Sequence, residues 1–301
     1  MKKKLSVITG GSSGLGLASA QCLADKTALL LCARSEAGLA AAKKELETYG
    51  AEVYTFRMDA SDEDSVKACA HYAASLGEIV NVIHTAGVSP ANTAAEDILR
   101  INAMGPIYIT EYFRPLLAEG GVLMLFSSTA GYTFETNEKM GALLPLIRKL
   151  FSSWQEPGFP ARLMDFLRQT MQLPETHCAG VAYCLSKYFV RWFTYANAWR
   201  FAKKSCRILS VSPGSYLTRM HQALIDNQPE SAKQVMQGIP LQRWGHAYEM
   251  GKLVEFLCSS GAGYLTGVDM LLQLGRKLKL CYKKHRCSFN VVHVQVHVTI
   301  A

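Results

Sequence analysis

No stretch of this 301-residue chain approaches the ~20 consecutive apolar residues needed to cross a membrane. The basic opening Met1-Lys2-Lys3-Lys4 leads into an apolar run that stops at Thr9, too short for a secretory signal. Cys-x-x-Cys pairs are missing too, although the chain has nine cysteines. An odd number without paired spacing points to free thiols in a reducing cytoplasm rather than a disulfide framework. Charged residues are sparse at 19%, whereas hydrophobic residues reach 49%, which suits a substantial core. Of the net charge of +8, six come from Arg276, Lys277, Lys279, Lys283, Lys284 and Arg286, and no acid follows Asp269. The rest of the chain is nearly neutral. Without a basic face carrying aromatic or groove-reading motifs, nucleic-acid binding is excluded.

What is present is a glycine-rich turn. Thr9-Gly10-Gly11-Ser12-Ser13-Gly14-Leu15-Gly16 follows a short apolar run, residues 5–8, and precedes a helical pattern over 17–24. Strand, glycine turn and helix in that order make a phosphate cradle, because glycines let the backbone approach a pyrophosphate and the helix amino terminus offers free N–H groups. A plain Gly/Ser turn is the bland alternative. Far downstream, Tyr183 and Lys187 stand four residues apart, on one face of a helix. An ammonium there is expected to lower the tyrosine pKa and let it exchange a proton near neutral pH. Alone, this pair occurs by chance in many helices.

Together the two motifs resemble the short-chain dehydrogenase/reductase family, and further stations follow in order over residues 4 to about 271. Asp59 ends a strand-like run over 53–58, and with Ala60 it stands where the family faces the adenine. His84-Thr85-Ala86-Gly87 is similar to the family's Asn-Asn-Ala-Gly, with two positions changed. Asn102, Ser127-Ser128-Thr129-Ala130-Gly131 and Pro213-Gly214-Ser215-Tyr216-Leu217-Thr218 match the fourth-helix asparagine, the serine strand end and the nicotinamide loop. The resemblance implies an α/β fold of Rossmann type, a doubly wound parallel sheet with helices on both faces. It implies Tyr183 as general acid/base, Lys187 on the nicotinamide ribose, Ser128 on the substrate oxygen and Asn102 on a relaying water. Gly10, Ser12, Ser13, Gly14, Leu15, Gly16, Ala86, Gly87, Pro213, Gly214, Tyr216 and Thr218 would hold the dinucleotide, and a homo-oligomer, dimer or tetramer, is expected. At the end of the second strand, Ala33 replaces the acid that would bind ribose hydroxyls, and Arg34 and Ser35 follow. A guanidinium there suits a 2′-phosphate, so NADP(H) is favoured over NAD(H).

The chain also departs from its relatives. Ser128 and Tyr183 are 55 positions apart, so residues of about 133–178 read as an insertion within a domain spanning 1–275. It carries two amphipathic helical patterns, over 142–154 with Leu143, Ile147, Leu150 and Trp154, and over 161–173 with Leu163, Phe166, Leu167 and Met171. They resemble the lengthened loop of bacterial 3α-hydroxysteroid dehydrogenase/carbonyl reductases. They are expected beside the cleft, either capping a bulky hydrophobic, steroid-like substrate or packing on the body or a second subunit. The final strand is expected over 264–271, after which Leu272-Gln273-Leu274-Gly275 replaces the family's closing turn. A basic tail, 276–301, follows with an alternating strand pattern, and reads as either a shifted reading frame or a true extension, dispensable in both cases. His293 and His297 on an extended strand lie about 13 Å apart, too far to share a metal ion. The expected function is an NAD(P)(H)-dependent oxidoreductase interconverting a carbonyl and a secondary alcohol. A 3-oxoacyl thioester reductase and a non-catalytic dinucleotide-binding regulator are the alternatives.

Overall fold

The computed structural model describes residues 3–91, 93–218, 222, 225–226 and 229–273. The basic tail and its expected strand lie outside the described residues. Strand β1 (Lys4–Thr9) is followed by α1 (Gly14–Leu23), β2 (Ala28–Ala33), α2 (Glu36–Glu47), β3 (Val53–Arg57), α3 (Glu63–Leu76) and β4 (Glu78–His84). Helices α4 (Ala95–Leu99) and α5 (Gly105–Phe113), joined by a π-helical turn, lead to β5 (Leu117–Phe126). After α6 to α9 come the long α10 (Glu175–Ala202), β6 (Arg207–Ser212), β7 (Tyr216–Leu217), α11 (Pro229–Gln237), β8 (Gly245–His246), α12 (Ala247–Cys258) and β9 (Val268–Leu271).

Seven parallel strands form one sheet in the order β3-β2-β1-β4-β5-β6-β9. Strand residues alternate between its two faces, and both faces are apolar because helices cover both. Leu5, Val7 and Leu30 join the core with α3, α5 and α10, whereas Ile8, Leu29 and Leu31 join the one with α1, α2 and α12. This is the expected doubly wound fold. The sequence order reverses between β1 and β4, and at such a switch point the carboxyl ends of the strands open a crevice. Among the described residues, no helix is long and apolar enough to cross a membrane.

The segment between Ser128 and Tyr183 is helical: α6 (Thr133–Thr136), α7 (Glu138–Gly141), α8 (Leu144–Ser152) and α9 (Phe159–Asp165) precede a π-helical stretch, Phe166–Thr170. The apolar stripes fall where the 3.6-residue period puts them; α8 and the π-helical stretch pack on α10, whereas α9 packs mainly on α4. Phe151 meets Phe189 edge-on at 5.1 Å between ring centroids, Trp154 meets Phe193 at 5.0 Å, and Phe159 meets Phe189 at 5.1 Å. The last strand is shorter than expected. Gly267 takes a left-handed φ of +66°, and an added Cβ would lie 2.8 Å from Ala198 Cβ, so the chain bends there before β9 can pair with β6.

Seven cysteines lie among the described residues, none of them in a disulfide. Cys32 on β2 and Cys69 on α3 are fully buried with their sulfurs 3.4 Å apart.

Candidate active site

A cleft of about 310 Å³ opens at the carboxyl ends of β1, β4, β5 and β6. Its floor is the glycine turn, with Gly10, Ser13, Gly14, Leu15 and Gly16 at the surface. The turn is closed by its own backbone: a Cβ on Gly16 would come within 2.3 Å of the Gly10 carbonyl oxygen, and one on Gly10 within 2.6 Å of Thr85 Oγ1. Gly14 is different, since a Cβ there would reach nothing nearer than Thr218 at 3.7 Å, across the cleft mouth. The Ser13 side chain makes no capping bond to α1. First-turn N–H groups of a helix lack partners within it, so this end of α1 suits an anion. A dinucleotide pyrophosphate fits this cradle.

One wall is the end of β4. Thr85 Oγ1 donates to the Thr9 carbonyl at 2.7 Å, and Thr9 Oγ1 shares a 2.7 Å hydrogen bond with His84 Nδ1. The altered His-Thr pair therefore ties β4 to β1 at the cleft. Burial, then the charge of Lys187, lowers the His84 pKa to about 3, so the ring stays neutral. Its Nε2 is buried with no hydrogen-bond partner among the described residues. Ala86, Gly87 and Val88 continue the wall. Asn102 sits behind it in the π-helical turn, accepting from Val88 N at 2.9 Å and donating to Val88 O at 3.0 Å. A Cβ on Gly87 would lie 3.1 Å from Asn102 Oδ1 and 3.5 Å from Lys187 Nζ, which places that glycine between the two.

The opposite wall carries Ser128, Tyr183 and Lys187. Ser127 also lines the cleft, but its hydroxyl is taken up: it donates to the Lys187 carbonyl at 2.7 Å. Ser128 Oγ caps the following turn by accepting from Ala130 N at 3.1 Å and also hydrogen-bonds the Tyr183 side chain. Lys187 Nζ donates to Phe126 O at 2.9 Å and lies 5.8 Å from the Tyr183 ring centroid. Burial drops its pKa to about 8.

One expectation fails here. Tyr183 is held above its ordinary value, not below it: burial raises it, the Ser128 hydrogen bond lowers it, and Cys184 raises it further. Lys187 does not offset the burial, because its ammonium is directed at the Phe126 carbonyl.

Pro213, Gly214, Tyr216 and Thr218 close the cleft, and Gln273 braces them, its Oε1 accepting from Ser215 N at 2.7 Å. Gln273, Val88 and Phe126 were not singled out by sequence. The Ala-Gly pair and the Ser127-Ser128 strand end stand next to the last two. Ser12, Arg34, Ser35, Asp59 and Ala60 lie beyond this cleft's lining. Ser35 caps α2 by accepting from Gly38 N at 3.1 Å, and a Cβ on Gly38 would touch Ser12 Cβ at 3.4 Å, so Ser12 and Ser35 are neighbours. Arg34 is exposed. Burial works to raise the Asp59 pKa, but hydrogen bonds from Ser61 and the charges of Arg34 and Arg100 outweigh it and hold the carboxyl below its usual value. None of the residues from 133 to 178 lines this cleft.

The Lys187 burial has a measurable sign. Below pH 8 the folded protein carries a buried ammonium that the unfolded chain, with a pKa of 10.5, protonates more readily. Stability from this group therefore rises as pH climbs from about 8 towards 10.5. Between pH 7.5 and 9.5 the wild type should gain about 2 kcal/mol relative to Lys187→Met. Urea unfolding of both proteins at the two pH values measures it, and parallel curves would refute the assignment.

A family model described as short chain dehydrogenase matches residues 4–140, and one described as enoyl-(acyl carrier protein) reductase matches residues 164–276. The short-chain dehydrogenase/reductase bsc3 of Alternaria brassicicola is 30% identical over 268 residues, covering 88% of this chain and 93% of its own length. The 3-oxoacyl-(acyl-carrier-protein) reductase FabG of Pseudomonas aeruginosa is 27% identical over 273 residues, covering 90% and 96%. Among solved structures, an actinorhodin polyketide ketoreductase variant with NADPH superposes at a TM-score of 0.68 with 19% identity, over 90% of this chain and 95% of that one. At that identity the likeness is one of fold.

Proposed function

The chain belongs to the short-chain dehydrogenase/reductase family of oxidoreductases, and from that premise we propose that it interconverts a carbonyl and a secondary alcohol with NADP(H). The carrying observation is the contact of Ser128 with Tyr183, beside Lys187, in the cleft floored by the glycine turn. The dinucleotide supplies the hydride. Gly14, Leu15 and Gly16 receive its phosphates, and Lys187 its nicotinamide ribose. Ser128 donates a hydrogen bond to the substrate oxygen as charge grows there. Tyr183 gives that oxygen a proton in reduction and takes it back in oxidation. Burial keeps the phenol protonated through the neutral range, which favours the reductive direction there, whereas oxidation gains rate as pH rises.

The stripes that suggested a steroid-sized lid are packed on α10 and α4, outside the cleft lining, so they lend little support to a steroid. A 3-oxoacyl thioester is the second reading, supported by the FabG relative. NADPH oxidation with hydrophobic ketones, steroids and 3-oxoacyl thioesters tests both, and binding without turnover on any of them would leave only a dinucleotide-binding role.

Cofactor choice rests on Arg34, exposed beside the Ser12–Ser35 contact, with Ala33 in place of an acid. A charge-assisted bond of about 1.5–3 kcal/mol is roughly 10- to 150-fold in affinity. Arg34→Ala should weaken NADPH by that factor and NADH far less. Fluorescence titration of both cofactors decides it, and equal losses would overturn the preference.

A further inference from the structure

We propose that Arg191 is a positioning residue for the reaction, docking the turn that carries Ser128 onto the face of α10 that carries Tyr183 and Lys187. The inference rests on the reading of Tyr183 as the acid/base. Arg191 is four residues after Lys187 and eight after Tyr183, so all three share one face of the helix.

The docking is a close one. A Cβ on Gly131 would lie 2.9 Å from the Lys187 carbonyl and 3.0 Å from Ser127 Oγ, so the turn rests directly on the helix backbone. Arg191 Nη1 donates to Gly131 O at 2.9 Å and to Glu135 Oε2 at 2.7 Å. Its guanidinium lies flat against Tyr132, 3.3 Å from the ring centroid. Nε stands 3.4 Å from Asp269 Oδ2 without hydrogen-bond alignment. Asp269 in turn accepts from Tyr132 Oη at 2.7 Å, Ser210 Oγ at 2.5 Å and Ser212 Oγ at 2.8 Å. One guanidinium thus links α10, the residues just after Ser128, β6 and β9.

Such a cluster is a costly way to add stability. Side-chain exposure is 14% for Arg191 and 10% for Asp269, and well-packed apolar residues commonly stabilise as much as a buried ion pair. What it supplies is register. Two of its contacts fall on Gly131 and Tyr132, three and four residues from Ser128. The Ser128 hydroxyl is the group that draws the Tyr183 pKa down against burial; Cys184 and the Lys187 ammonium are the other titratable groups facing it. The glycine turn that would cradle the dinucleotide phosphates is the floor of the cleft, away from the Gly131 and Glu135 contacts of Arg191.

The test uses full-length Arg191→Met and Arg191→Lys. Lysine keeps the charge but loses the flat fork, so it protects against a failure of the methionine variant to fold. Turnover should fall about tenfold to a hundredfold in Arg191→Met, and less in Arg191→Lys, with the cofactor KM held within about twofold. The Tyr183 titration should move to higher pH in both. It is followed by NMR of carbon-13-labelled tyrosine, with the signal assigned by its loss in Tyr183→Phe. Because that titration needs no substrate, it stands even if no carbonyl substrate is found. An unmoved titration in folded variants overturns the proposal, whatever the turnover does.

Discussion

Tyr183→Phe should cut turnover about 10²- to 10⁴-fold, the usual worth of a general acid, while NADPH still binds. The substitution keeps the ring and removes only the hydroxyl that Ser128 bonds and the substrate oxygen would share. Cofactor affinity should survive because the glycine turn and Lys187 are untouched. Lys187 keeps its anchor, since it donates to the Phe126 carbonyl and not to Tyr183. Steady-state rates on any ketone accepted by the wild type, together with a binding titration of NADPH, give the answer. Near-normal turnover in the variant would refute the assignment of Tyr183 as proton donor.

Gly16→Ala should do comparable damage by another route. A single methyl would have to occupy space within 2.3 Å of the Gly10 carbonyl oxygen and 2.6 Å of Thr85 Oγ1. No flexible side-chain end can move aside for it, because the Gly10 carbonyl oxygen is backbone, so the turn must open. Overpacking of this kind costs roughly 3 kcal/mol, and the opened turn no longer presents its N–H groups together. We expect NADPH affinity to fall by about a hundredfold, the scale set by losing such charge-assisted bonds. Gly14→Ala is the control for stability: it meets the strain of a φ near +56° and no atom nearer than Thr218 at 3.7 Å. That costs about 1–2 kcal/mol and leaves the turn closed, although its methyl enters the cleft. Melting curves of the two variants, with a cofactor titration of Gly16→Ala, measure these effects, and equal melting behaviour would mean the turn is not closed as described.

The sheet was legible because each strand is a short apolar run and each crossover a helical period, signals that survive without tertiary knowledge. The cleft was legible for a related reason: Gly10 to Gly16 and Ser128 sit at element ends, and Tyr183 and Lys187 stand one helical turn apart within α10. Direction was harder to read. The stripe of Ile147, Leu150 and Trp154 shows that a helix has an apolar face, but not what covers it, and only packing reveals Phe189 and Phe193 there. The tyrosine pKa was misread for the same reason. Spacing puts Lys187 on the right face, while the competing acceptor, the Phe126 carbonyl, comes from 61 residues away. Arg191 with Asp269, and Gln273 with Ser215, join residues too distant in sequence for any periodicity to pair them.

The touching thiols of Cys32 and Cys69 give the molecule an internal gauge. Hydrogen bonding between them, then burial, raises the Cys32 pKa well above its ordinary value, so in the closed protein it is neither charged nor reachable. A thiol reagent can take it only when β2 and α3 part company. Cys184, half-exposed beside Tyr183, is open to the same reagent without such a separation. Labelling of Cys32, set against that of Cys184, would therefore report the free energy of opening the sheet from its α3 side.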